Sequence, residues 1–247
     1  MTLPRDSIQD WKAFEANNIP TKGIKLPPLF EKALKAAQAE GKQAANELQI
    51  LELGCGCGEL ALHLSEQGHT LVGVDVNENA IALAQDHNKF VDRCRFFVDD
   101  VTTLRMSKYT TSHDGVDKHF DFCILQLLLS IVGNVANRRQ SITTAYQSLK
   151  KGGYLYLSCS GVSDAINSNY KELYEQDYPA TQEMYTYYSR DANGNILYTT
   201  HHFTAGEIID LLRDVGFEDV RVQEVQERSS RRPEEAANFL YVMARKL

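Results

Sequence analysis

Apolar positions in this chain fall into short unbroken runs separated by stretches of helical spacing. From residue 49 the runs QILEL, TLVGVD, CRFFV and FDFCIL appear in turn, and YLYLSCS follows at 154–160. Continuous apolar runs of this length suit parallel strands covered on both faces. Between them lie helical segments: 59–67, stopped by Gly68; a second opened by Asn77 as N-cap; and a third over about 137–150. Strand and helix in alternation predict a parallel sheet with helices on both faces.

The flanks depart from this rhythm. Residues 1–45 read as an arm or lid carrying Trp11 and Phe14, followed by a helix over 31–40 that Gly41 would end. Residues 46–247 read as one domain, with an insertion at 160–203. That insertion holds seven of the twelve tyrosines, and Asn193-Gly194 marks a hairpin turn within it. Thr204-x-x-Glu207 is a capping box opening the next helix, which ends near Gly216. Two strands, about 217–224 and 237–244, close the chain around a polar RSSRRPEE segment.

Composition narrows the classes. The chain has 247 residues, enough for one α/β domain, and a net charge of −7, which argues against a polyanionic partner such as nucleic acid. No apolar run reaches the ~20 residues of a membrane span, and the N-terminus lacks a signal-peptide core. Five cysteines, three of them in or beside buried strands, fit a reduced, cytoplasmic setting. Cys55-x-Cys57 is too closely spaced for a structural zinc site and has no second pair nearby, so no metal is expected.

The candidate chemistry centres on residues 50–59, ILELGCGCGE. A strand ends in an acidic residue, a tight glycine loop follows, then a helix begins. Glycine spacing here is shorter than the G-x-G-x-x-G of dinucleotide sites. Glu52 suits a cationic amino group better than a phosphate. Asp75 ends the second strand about twenty residues on, where a carboxylate accepts ribose hydroxyls, with Val76 beside it.

This E-x-G-x-G-x-G pattern resembles motif I of the class I S-adenosylmethionine-dependent methyltransferases. Val98-Asp99-Asp100-Val101, Phe120-Asp121 through Gln126, and Leu149-Lys150-Lys151-Gly152-Gly153 resemble later motifs of that family in order, with Lys151 where proline is usual. The resemblance implies a Rossmann-like α/β domain whose seven-stranded, mostly parallel sheet has its last strand antiparallel. It implies S-adenosyl-L-methionine as cofactor, held by Glu52, Gly54, Cys55, Gly56, Gly58, Asp75 and Val76. Asp100 would then meet the adenine amine, Val101 its ring, and Gln126 the reacting end.

The expected reaction is in-line methyl transfer to oxygen or nitrogen of a small molecule, by a monomer or homodimer. The alternatives are an RNA or protein methyltransferase, and a non-catalytic cofactor-binding scaffold; motif IV lacks the tetrad of amino-directed nucleic-acid enzymes. His201 and His202 are the candidates for a general base, although neighbours on a strand face opposite ways. Trp11, Tyr185, Tyr187 and Tyr198 are the candidate acceptor contacts, against ordinary hairpin packing. Arg228, Arg231 and Arg232 form a basic cluster that reads either as an anion anchor or as a solvated turn.

Overall fold

A computed structural model describes residues 7–15, 26–40, 47–105, 108–109, 119–229 and 234–247. Strands β1 (Gln49–Leu53), β2 (Thr70–Asp75), β3 (Cys94–Val98), β4 (Phe120–Gln126) and β5 (Leu149–Ser160) pair in parallel. The C-terminal strands β8 (Glu218–Arg228) and β9 (Ala236–Arg245) complete a seven-stranded sheet of order β3-β2-β1-β4-β5-β9-β8. The last strand, β9, runs antiparallel to both its neighbours, as expected from the sequence. Strand order reverses between β1 and β4, and at such a switch point the strand C-termini open a crevice.

Helices cover both faces. Helices α2 (Pro28–Glu40), α3 (Glu59–Glu66) and α4 (Glu78–Asp86) bury one apolar set against Ile50, Phe122, Ile124 and Tyr156. Helices α5 (Val135–Ser148) and α7 (Ala205–Val215) cover Leu51, Val72, Cys123 and Leu155 on the other face. Phe30 of α2 is fully buried and meets Phe122 and Tyr156 edge-on. The helix assigned to the 1–45 arm is therefore part of the domain core, because its apolar stripe has no other surface to cover. Gly41 lies outside the described residues. A short helix α1 (Ser7–Lys12) packs separately, against the insertion.

The insertion holds an element missing from the sequence reading. Helix α6 (Ser168–Thr181) buries Tyr170, Tyr174, Asp177 and Thr181, a 4-3-4 spacing that places them on one face. Strands β6 (Thr186–Arg190) and β7 (Ile196–His201) form the expected hairpin. Its turn is organised by Asp191, whose Oδ1 accepts the amides of Asn193 and Asn195, while Gly194 takes φ +84°. Asp177 ties α6 to the hairpin through a two-pronged ion pair with Arg190, at 2.8 and 2.6 Å. Strands β8 and β9 run longer than predicted, because their mutual pairing extends from Glu218 to Arg228 across polar residues that carry no apolar signal.

Candidate functional site

The glycine loop sits where β1 enters α3. Gly54, Gly56 and Gly58 take φ of +75°, +52° and +77°, a left-handed region that glycine occupies without steric cost. A Cβ at Gly54 would approach Leu128 Cδ1 to 2.9 Å, and one at Gly58 would meet Phe96 Cζ at 2.6 Å. The loop's amides turn inward. Gly54 and Cys55 donate to the Val74 carbonyl, Gly58 to the Cys55 carbonyl, and Gly56 to Asp75 Oδ2. These amides are used to shape the turn. Cys55 is buried, its sulfur against Gly73.

What the site offers instead is negative charge. Glu52 is 3% exposed, and its Oε2 is buried with no hydrogen-bond partner. Burial, reinforced by the nearby Asp75, pushes its carboxyl up to about 8. Asp75 accepts Gly56 N–H at 2.8 Å and Asn77 N–H at 2.9 Å; desolvation raises its pKa while those amides oppose the rise. Asn77 caps α4 through the Ala80 amide, and its Nδ2 also donates to the carbonyls of Trp11 and Phe14. The N-terminal helix is thereby pinned beside Asp75.

These groups border a cavity of about 1120 Å³. Val76, Asp100, Val101 and Gln126 line it as expected, together with Glu52, Asp75 and the loop residues Gly54 to Cys57. Gly58 lies behind the loop, packed on Phe96, and acts through the turn alone. Asp99 is committed to Lys108 at 3.0 Å and to Tyr109 at 2.5 Å. Asp100 Oδ1 accepts the amide and the hydroxyl of Thr102. Asp121, at the opposite end of β4, pairs with Lys150 at 2.7 Å and accepts the Gln49 amide.

On the other side of the cavity stand Trp11, Tyr187 and Tyr198, with Trp11 and Tyr198 in ring contact at 4.7 Å. The Trp11 indole nitrogen is buried without a partner. Tyr185 is a correction. Its φ of +59° breaks the strand alternation, so it packs edge-on against Tyr174 and does not line the cavity.

The histidines separate as alternation requires. His201 faces away from the cavity, its ring nitrogens taken by Thr186 Oγ1 at 2.7 Å and Glu207 Oε1 at 3.0 Å. It belongs to a buried network with Glu183 and Arg138, so its candidate catalytic role is withdrawn. His202 does line the cavity, between Tyr174 at 2.6 Å from Nδ1 and Tyr187 at 3.4 Å from Nε2. Burial, then the neighbouring His201, pushes its pKa down to about 3. Both ring nitrogens thus face tyrosine hydroxyls, and with its pKa pushed this low His202 is not a ready base.

A family model described as a methyltransferase domain matches residues 25–222. The chain belongs to this methyltransferase family. A solved S-adenosylmethionine-dependent methyltransferase of Methanosarcina mazei is 27% identical, with a TM-score of 0.70 over 91% of this chain and 99% of that one. The N-methyltransferase NodS of Bradyrhizobium japonicum, solved with S-adenosylhomocysteine, shares the fold at 16% identity and TM-score 0.57, covering 98% and 99%. The mitochondrial ubiquinone biosynthesis O-methyltransferase of Mus musculus is 28% identical over 138 residues, 55% of this chain and 35% of that protein. The match thus spans a third to a half of the first curated relatives, 49% in one and 35% in the next.

The residues present fit S-adenosylmethionine, the cofactor that the resemblance implies. The unpartnered Glu52 oxygen suits its ammonium, and inward-turned amides suit a ligand end that donates. Sequence reasoning missed Ser130 and the β8–β9 wall of the cavity, including Glu227, Phe239 and Tyr241, and it read Asn77 as an N-cap without its bonds to Trp11 and Phe14. Helical spacing at Tyr170 and Tyr174 was the one available signal for the aromatic cluster behind His202. Of the basic cluster, Arg228 reaches the cavity and Arg231 and Arg232 lie outside the described residues. Among the described residues, no helix is long and apolar enough to cross a membrane.

Proposed function

We propose that this methyltransferase acts on a small molecule, at an oxygen or nitrogen atom. One observation carries the reading: the cavity runs without interruption from Glu52 and Asp75 to Trp11, Tyr187, Tyr198 and His202, under the insertion and the N-terminal helix. At about 1120 Å³ it is slightly larger than the ~300–1,000 Å³ of ligand pockets, enough for a cofactor and a second small ligand together. Its lining is acidic, which disfavours a nucleic-acid backbone.

When bound, S-adenosylmethionine supplies a methyl group on a sulfonium. In the proposed arrangement Glu52 takes the cofactor's ammonium, Asp75 its ribose and Asp100 its adenine, with Val76 and Val101 packed alongside. Gln126 and Leu127 close the floor at the reacting end, and the aromatic wall orients the acceptor and excludes water. His202 serves as a polar contact beside the acceptor rather than as a base.

The test is turnover. Purified protein with S-adenosylmethionine and pooled metabolite fractions should release S-adenosylhomocysteine with a product 14 Da heavier than its precursor by mass spectrometry. Turnover on tRNA or a protein, and none on any small-molecule fraction, would reverse the assignment.

A further inference from the structure

The far wall of the cavity is built from one face of the sheet, and pairing fixes its layout. Ser158 of β5 pairs with Tyr241 of β9, which pairs with Gln223 of β8; Ser160, Phe239 and Val225 form the next row, and Ala237 and Glu227 the last. Residues two apart share a face, so Tyr156, Tyr241, Phe239 and Glu227 belong to the same surface, and all four line the cavity.

Its polar equipment is specific. Tyr241 donates its hydroxyl to Glu227 Oε1 at 3.0 Å, fixing the carboxylate. Tyr156 is 2% exposed and lines the cavity from the same face. Burial, with Tyr241 and Glu227 close by, keeps that phenol protonated. Around the carboxylate stand the rings of Tyr156, Tyr241 and Phe239. The cavity as a whole is lined by six carboxylates, those of Glu52, Glu59, Asp75, Asp99, Asp100 and Glu227, against one cation, Arg228, among the described residues.

We infer that this wall is the acceptor's recognition subsite and that it takes an ammonium group, so the methyl acceptor is an amine-bearing, flat molecule. A carboxylate held in place among aromatic faces attracts a cation twice, through charge and through the ring quadrupoles. An anionic acceptor would be repelled by Glu227, and a neutral one would forgo the attraction of its charge. The inference rests on the proposed small-molecule function and specifies its substrate class.

The experiment uses the full chain saturated with S-adenosylhomocysteine and three probes of one shape: tyramine, its neutral counterpart p-cresol, and the anionic 4-hydroxyphenylacetate. Isothermal titration should show tyramine binding at least tenfold tighter than either. Glu227→Gln should remove that preference, and Glu227→Lys should turn it toward 4-hydroxyphenylacetate. Should these variants fail to fold, Tyr241→Phe, which frees the carboxylate without removing it, should weaken tyramine several-fold and leave p-cresol unchanged. Absence of tyramine binding, equal binding of the three probes, or a preference that survives Glu227→Gln overturns the inference. Failure of the wild-type chain to bind S-adenosylhomocysteine would instead count against the proposed function.

Discussion

The carboxylate of Asp75 accepts the backbone amide of Gly56 at 2.8 Å, joining the end of β2 to the middle of the glycine loop. One side chain thereby shapes the loop and lines the cavity, where the proposed arrangement puts the ribose. Asp75→Ala should therefore do two things: weaken S-adenosylhomocysteine binding at least tenfold, about 1.4 kcal/mol, and lower thermal stability as the Gly56 and Asn77 amides lose their acceptor. Isothermal titration and calorimetry on one preparation would check both. Unchanged affinity would mean that Asp75 braces the loop and does not touch the ribose.

Glu52 makes cofactor binding pH-dependent. Its carboxyl is raised from 4.5 to about 8, so between those values the folded apo chain keeps a proton that the unfolded chain has lost. Stability from this group therefore falls as pH rises through that window, by on the order of 1 kcal/mol per unit at most. An ammonium beside Glu52 favours the carboxylate and expels the proton. Affinity for S-adenosylhomocysteine should climb from pH 6 toward 8, with proton release visible in buffers of different ionisation enthalpy. Glu52→Gln should flatten the stability slope and abolish the release; release that persists in the variant would disprove the assignment.

Local signals made the core of this site readable. The loop glycines are required by positive φ, and Asp75 by its place at a strand end, both of which a few consecutive residues specify. Other features depended on distant partners. Asn77 reads as an N-cap, yet it also holds carbonyls 66 and 63 residues away. Glu227 gains meaning only once β8 pairs with β9. Among the tyrosines composition could not choose; a left-handed backbone at Tyr185 decides which rings reach the cavity.

The glycine loop also yields a stability contrast. Alanine at Gly58 would combine a φ of +77° with a Cβ 2.6 Å from Phe96, whereas at Gly194 φ is +84° and nothing lies within 4 Å. Gly194→Ala should cost about 1–2 kcal/mol, from backbone strain alone. Gly58→Ala should cost about 2–5 kcal/mol, because overpacking adds ~1–3. Urea denaturation would read both, and Phe96→Leu combined with Gly58→Ala should recover the packing part only. Equal costs at the two sites would show that Phe96 yields freely.

The two histidines predict opposite kinds of defect. His202 titrates near 3, so the rate should show no ascending limb between pH 6 and 7 that depends on it. Because its folded pKa is lowered, His202 favours folding above the unfolded value of 6.5, and that contribution is lost as pH falls toward 3. His202→Ala should raise the acceptor KM and strip the buried Tyr174 hydroxyl of its partner, costing about 1–3 kcal/mol. His201→Ala removes a ring bonded to Thr186 and Glu207 beneath the hairpin. It should destabilise the fold by a similar amount yet leave S-adenosylhomocysteine affinity within twofold. A steady-state pH profile of both variants decides: an ascending limb near pH 6.5 in wild type that vanishes in His202→Ala would restore the histidine as base.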